Sequence, residues 1–340
     1  MALKTVMSKY ATVVTSVNGK TIQFKNHRAQ VDPVTALILM SRPGYYLDHS
    51  DKWKDAKTIL IARNMGIGDV LFVSTVPAYL KKINPKCHLT FLTFSKNIRL
   101  LRNHPYIDMV DDIAKLNDPQ YVTNFEYAMN FNNFFESGSR VPQGNTKHRV
   151  DMLREFYSAD KKDWDTTIYS TITKEEKDFA SNSLKILSNK KIIGIVTQSS
   201  ELTRRYPDNP KLAQLLADNG FGVVILSPGD TIKYNHNNIL NMSGKTNLGQ
   251  LWAFLQAVDL VITPDTGPLH MAGALNKKII TFFNSFPPMV RTVYYKNCFA
   301  FSAADRCPKK LYPCGYGRCT APCLKSITPY QFLTKVREML

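Results

Sequence analysis

From Thr58 to Phe283 the chain alternates short apolar runs with longer amphipathic ones. The short runs come in two series. The first is "TILIAR" (58–63), "HLTFLTF" (88–94), "YIDMVDDI" (106–113) and "YAMNFNN" (127–133). The second is "KIIGIVTQ" (191–198), "FGVVILSP" (221–228), "DLVITPDTGP" (259–268) and "KKIITFF" (277–283), read as the last strand. Between them lie helical patterns: "DVLFVSTVPAYLKKI", with Pro77 marking a start or a kink, "SKNIRLLRNH", "NPKLAQLLADNG" with a glycine stop, "LGQLWAFLQAV" and "LHMAGALN". Strand–helix alternation of this kind predicts βαβ units on parallel sheets. The stretch 144–190 is polar and helical, as in "TKEEKDFASNSLKILSN", and reads as a crossing between two α/β units. Ahead of Thr58, "ATVVTSVNGKTIQF" carries two β-branched runs around Asn18-Gly19, a hairpin signal. "DPVTALILMSRPGYY" then reads as a short helix or strand stopped by Pro43-Gly44.

Two of the strand-to-helix turns carry polar chemistry. In "MGIGDVLF" (65–72), Gly66 and Gly68 allow a tight turn and close backbone approach. Asp69 arrives where the strand hands over to the helix, the sheet edge at which ligands bind. A poised carboxylate and a helix N-cap both fit that position. In "TPDTGPLHMAGAL" (263–275), Asp265-Thr266-Gly267-Pro268 closes a buried strand and opens a helix with proline near its first position. The free N–H groups of such a helix end cradle phosphate, and Thr266 adds a hydroxyl donor. A capped helix without a ligand is the plainer alternative. His270 reads as a core histidine or as part of the same site.

With these pieces in order, the sequence resembles glycosyltransferase family 9, the lipopolysaccharide heptosyltransferases. The resemblance rests on "GDVLFVSTVPAYLKKINP" (68–85), "RRYP" (204–207), "SGKTNLGQLWAFLQAVDLVITPDTGPLHMAGAL" (243–275) and the tail "CPKKLYPCGYGRCTAPCLKSITP". It covers residues 58 to 330 and leaves the first 50 outside. It implies an α/β GT-B fold: two Rossmann-like domains facing a central cleft, plus a small β-containing N-terminal extension. The boundaries expected are 1–55 for the extension, 56–165 for the acceptor domain and 166–325 for the nucleotide-sugar domain. A helix over 326–340 is expected to pack back on the first domain. The implied reaction is inverting glycosyl transfer from a nucleotide-diphosphate sugar, with no obligatory cofactor or metal. The family's base falls on Asp69, and the basic residue of its "K-x-W-P" pattern on Arg204, with Tyr206-Pro207 replacing Trp-Pro. Donor-binding positions fall on Thr246, within the Ser243–Leu248 loop, and on Asp265, Thr266, Gly267 and His270. Gly66 and Gly68 form the loop beside the base. Independently of the name, the D-x-D at Asp163-Trp164-Asp165 lacks a preceding buried strand and makes a poor metal site. Helix ends and arginine remain to neutralise a departing diphosphate.

Charge bears on the acceptor. The net charge is +17, from 44 Lys+Arg against 27 Asp+Glu. That favours a polyanionic partner, with a solvated basic surface as the alternative. The first 57 residues hold nine Lys/Arg and four Asp, and bases interleave with aromatics in "PGYYLDHSDKWK" and "VRTVYYK". These features favour DNA carrying a hydroxymethylated pyrimidine, as in some bacteriophages, over the phosphorylated lipopolysaccharide core. A non-catalytic nucleotide- or nucleic-acid-binding protein on a GT-B scaffold is the reading from another class. "GIGDV" lacks the third glycine of a dinucleotide fingerprint, which argues against a dehydrogenase. No apolar run is long enough to cross a bilayer, and "MALKTVMSKY" lacks a signal-peptide core. A cytoplasmic monomer is expected. Cys307, Cys314, Cys319 and Cys323 follow C-x6-C-x4-C-x3-C, without the paired C-x2-C of a strong zinc signature. They read as small buried thiols in a compact loop, with a structural zinc site as the lesser alternative.

Overall fold

The computed structural model describes residues 4–8, 13–17, 20–25, 28–31, 35, 39, 45–47, 51–132, 134–135, 147–229, 232, 234–284, 287–303, 306 and 322–340. It divides into two compact units: Met1–Arg140 with Val150–Tyr169, and Val141–Arg149 with Ser170–Leu340.

The first unit opens with β1 (Lys4–Ser8), β2 (Val13–Val17), β3 (Lys20–Phe24), β4 (Arg28–Val31) and β5 (Tyr45–Leu47). β2 and β3 pair antiparallel with Val17 opposite Lys20, so only Asn18-Gly19 separates the strands, as the hairpin signal predicts. β1 lies between β4 and β5, antiparallel to both. The expected stop at Pro43-Gly44 lies outside the described residues.

The α/β part follows as β6 (Thr58–Ala62), α1 (Ile67–Val73), α2 (Val76–Ile83), β7 (His88–Thr93), α3 (Ile98–Leu101), β8 (Met109–Asp112), α4 (Pro119–Thr123) and β9 (Tyr127–Asn130). The expected single helix over 69–83 is two, separated at Ser74-Thr75, with Pro77 in the first turn of α2. The sheet is parallel in the order β8-β7-β6-β9. Leu60, Ala62, Leu92 and Ala128 pack on one of its faces with Phe125. Chain order reverses between β6 and β9, so the loops after these strands flank a crevice at the carboxyl edge, where such sheets take ligands.

The second unit repeats the plan after α5 (Arg149–Phe156), which starts at the unit boundary, and α6 (Lys174–Leu184). Its elements are β10 (Ile192–Ile195), α7 (Asn209–Asp218), β11 (Gly222–Ile225), β12 (Ile239–Asn241), α8 (Leu248–Ala257), β13 (Leu260–Pro264), α9 (Gly267–Ala274), β14 (Lys278–Phe283), α10 (Met289–Thr292), β15 (Cys298–Ser302) and α11 (Pro329–Met339). The parallel order β12-β11-β10-β13-β14-β15 is the doubly wound 3-2-1-4-5-6 arrangement, with its switch point between β10 and β13. "KKIITFF" is therefore not the last strand. β15 pairs with it and is only half-buried at the sheet edge, which leaves "CFAFS" without a core-strand pattern. Gly220 ends α7 with φ +86, a left-handed backbone that favours glycine.

The closing helix also departs from expectation. α11 buries Phe332, Leu333 and Val336 in the second unit's own core, against Leu212, Leu216 and Phe282. Arg337 Nη2 donates to Asn219 Oδ1 at 2.7 Å. Burial of this apolar face, worth about 1.5–3 kcal/mol for each fully buried side chain, holds the helix to the unit that precedes it in sequence.

Candidate active site

In the first unit, Asp69 is not a cap. The N-cap of α1 is Gly66, whose carbonyl accepts from the N–H groups of Asp69 (3.0 Å) and Val70 (3.2 Å). Gly66 has φ −60, so the turn does not call on left-handed freedom. Gly68 lies inside α1, one residue before Asp69. Asp69 sits in the first helical turn, where the helix dipole favours negative charge. Its carboxylate is nearly buried, and its Oδ2 lies 3.3 Å from Arg63 Nη2. Arg63 closes the β6 segment and is fully buried; its Nη1 donates to the Phe131 carbonyl beyond β9, and its guanidinium lies 4.9 Å from the Phe135 ring. Asn64 N–H donates to Asn132 Oδ1 at 2.6 Å, and Asn97 Nδ2 to the Met65 carbonyl at 3.2 Å. The switch-point loop is thus tied to both neighbouring strand ends, with an Asp–Arg pair at its centre.

In the second unit, Asp265 ends β13 and is buried. Arg204, from the turn after β10, donates through Nη1 to the Asp265 main-chain carbonyl at 3.0 Å and lies 3.6 Å from Oδ2. Arg291 Nε stands 4.0 Å from the same Oδ2, and His270 Nε2 stands 3.9 Å from Oδ1. Burial alone would raise the Asp265 pKa. Arg291 and Arg204, followed by His270 and Arg149, outweigh it and hold the carboxyl below the ordinary carboxylate range. Thr266 is the N-cap of α9 in extended conformation and makes no capping bond with its side chain; Gly267 opens the helix and Pro268 follows. The arrangement places arginines from two separate segments beside a helix N-terminus, a setting suited to an anion.

The structure therefore brings Arg204, Asp265, Thr266, Gly267 and His270 together. Thr246 is half-buried in the turn just before Asn247, the N-cap of α8, and makes no hydrogen bond to this cluster among the described residues. Arg63, Arg291, Arg149 and Tyr295 are absent from the residues picked by motif. An arginine closing a buried strand was a usable signal for Arg63. "VRTVYYK", expected on a nucleic-acid surface, instead turns Arg291 inward, 4% exposed, and sets the Tyr295 hydroxyl 2.7 Å from His270 Nδ1. Tyr294 lies edge-on to His148. Trp53 of "PGYYLDHSDKWK" is likewise buried, against Tyr79 and Tyr157. Tyr206 sits in the core and donates to the Ile327 carbonyl at 2.6 Å.

Both carboxylates of the D-x-D motif serve the fold. Asp163 pairs with Lys82, and Asp165 accepts from the Thr167 N–H and the Tyr169 hydroxyl. Cys307, Cys314 and Cys319 lie outside the described residues, whereas Cys323 is buried. Among the described residues, no three His, Cys, Asp or Glu side chains form a metal-binding group. No described helix is long and apolar enough to cross a membrane.

The family model described as glycosyltransferase family 9 (heptosyltransferase) matches residues 134–316, just over half of the chain. Lipopolysaccharide heptosyltransferase 1 of Campylobacter coli is 23% identical, covering 71% of this chain and 86% of that one. Among solved structures, the family 9 glycosyltransferase of Veillonella parvula superposes with a TM-score of 0.66 at 18% identity, over 83% of this chain and 97% of that one. The dodecameric iron-containing heptosyltransferase TibC, of enterotoxigenic Escherichia coli and solved in complex with ADP-D-beta-D-heptose, does so at 0.62 and 11% identity, over 99% of this chain and 91% of that one.

Proposed function

Since the chain belongs to glycosyltransferase family 9 and is a glycosyltransferase, we propose that it moves a heptosyl residue from ADP-heptose to a hydroxyl of a lipopolysaccharide-type core. The observation that carries this reading is the buried Asp265 with Arg204 and Arg291 beside the uncapped start of α9. In the proposed reaction the Asp69 carboxylate takes the proton of the acceptor hydroxyl. The freed oxygen bonds to the anomeric carbon while that carbon's bond to the diphosphate oxygen breaks, inverting its configuration. The electron pair leaves with ADP, whose growing charge meets Arg204, Arg291 and the N–H groups of α9. Thr266 offers its hydroxyl to the same phosphates.

The acceptor reading departs from the DNA expectation. Part of that expectation rested on base–aromatic interleaving, and the described Trp53, Arg291 and Tyr295 are engaged inside the protein. The Campylobacter coli relative is a lipopolysaccharide enzyme by name. Incubation with ADP-heptose and either a heptose-deficient lipopolysaccharide core or hydroxymethylcytosine DNA, followed by mass spectrometry, tests the proposal. Heptose appearing on the core is expected. Heptose on DNA alone would overturn the acceptor, and no transfer to either would overturn the reaction.

A further inference from the structure

His270 is buried on α9 between two polar partners, the Tyr295 hydroxyl at Nδ1 and the Asp265 carboxylate at Nε2. Arg291, Arg149 and His148 are the other charged or titratable groups facing it. Burial, aided by those three and opposed by Asp265, pushes its pKa down to about 3, so the ring is neutral near pH 7 and carries one N–H. Burial also raises the Tyr295 phenol, which keeps its proton and has it to donate. When that hydroxyl donates to Nδ1, the imidazole proton must sit on Nε2, facing Asp265. The opposite tautomer would aim a nitrogen lone pair at a carboxylate oxygen, which electrostatics disfavours.

We propose that Tyr295 is a positioning residue: its hydroxyl fixes His270 as the Nε2–H tautomer, whose N–H dipole faces the Asp265 carboxylate, itself paired with Arg204. The chain of contacts runs from Tyr295 to His270 at 2.7 Å, on to Asp265 at 3.9 Å, and from there to Arg204 at 3.6 Å. α9 is shaped for the tyrosine. A Cβ at Gly273 would clash with the edge of the Tyr295 ring, so this glycine in the last turn of α9 makes room for the ring that reaches His270.

The effect on turnover rests on the proposed reading of this cluster as the diphosphate site, but the tautomer does not. 15N NMR of histidine-labelled, nucleotide-free protein should show the His270 ring protonated on Nε2. Tyr295→Phe, which keeps the ring and removes the hydroxyl, should give a mixture of tautomers. It should also raise KM for ADP-heptose about fivefold with kcat nearly unchanged, the loss of one hydrogen bond. An Nδ1–H tautomer in the native protein would overturn the proposal. So would a variant with altered tautomer and unaltered KM, or with neither changed. Absence of turnover with ADP-heptose in the native protein, alongside the expected tautomer, would refute the donor reading and leave the Tyr295–His270 assignment standing.

Discussion

Each unit places an aspartate–arginine pair at the switch point of a parallel sheet, yet the two assemble it differently. In the first, Arg63 and Asp69 come from one βα turn, the cation closing β6 and the carboxylate in the first turn of α1. In the second, the guanidinium of Arg204 comes from 61 residues upstream, and Arg291 arrives from the segment after β14. The local pair sets a single cation beside its carboxylate. The long-range cluster surrounds its carboxylate with arginines from separate elements. There, on the reading proposed above, the aspartate fixes cations where a diphosphate would meet them. The difference lies in how many chain segments converge on the carboxylate.

The sharpest way to break this comparison is to remove a cation from the second cluster. Arg204→Ala should lower kcat/KM by about 10²–10³, the scale for losing a transition-state charge contact, and weaken ADP binding by calorimetry. Arg204→Lys should recover only part of the loss, because an ammonium lacks the fork that reaches both a carbonyl and a phosphate. Full activity in Arg204→Ala would mean that the convergence of arginines has no part in turnover.

A smaller effect separates the units by pH. Each holds a buried histidine with a lowered pKa among its described residues: His104 in the first, pushed down to about 4, and His270 in the second, to about 3. Burial is the main cause for both. For His104 it is opposed by the Ser74 backbone and Asp165. Below the unfolded value of about 6.5, the unfolded chain binds protons that the folded chain refuses. Stability therefore falls as pH drops from about 6.5 towards 4, by up to about 1.4 kcal/mol per pH unit for each histidine. The Asp265 contribution has its own window: present above the ordinary carboxylate range, it is lost as pH falls through the depressed folded value. Urea midpoints between pH 7 and 4.5 check this, and His104→Asn should flatten part of the slope. A pH-independent midpoint over that range would contradict it.

The comparison also explains what the sequence made legible. Asp69, Asp265 and the α9 opening lie in short contiguous motifs, so strand, turn and helix start could be read together. Arg204 was reachable only through its resemblance to a family pattern. Arg291 and Tyr295 escaped because their partners lie outside their own segment, and composition does not reveal which way a side chain points. The same blindness turned "VRTVYYK" into a presumed nucleic-acid surface. β15 was missed because an edge strand is only half-buried, and α11 was misassigned because an amphipathic helix does not announce which core takes its apolar face.

The central claim is that Asp69 does proton chemistry while the Asp265 cluster binds the donor. Asp69→Asn, assayed for heptosyl transfer and titrated with ADP in the same preparation, tests it most directly. A rate loss of about 10²–10⁴, the usual worth of a general base, with ADP affinity unchanged, is the expected result. Native turnover in that variant, or a lost rate that tracks lost ADP binding, would contradict it.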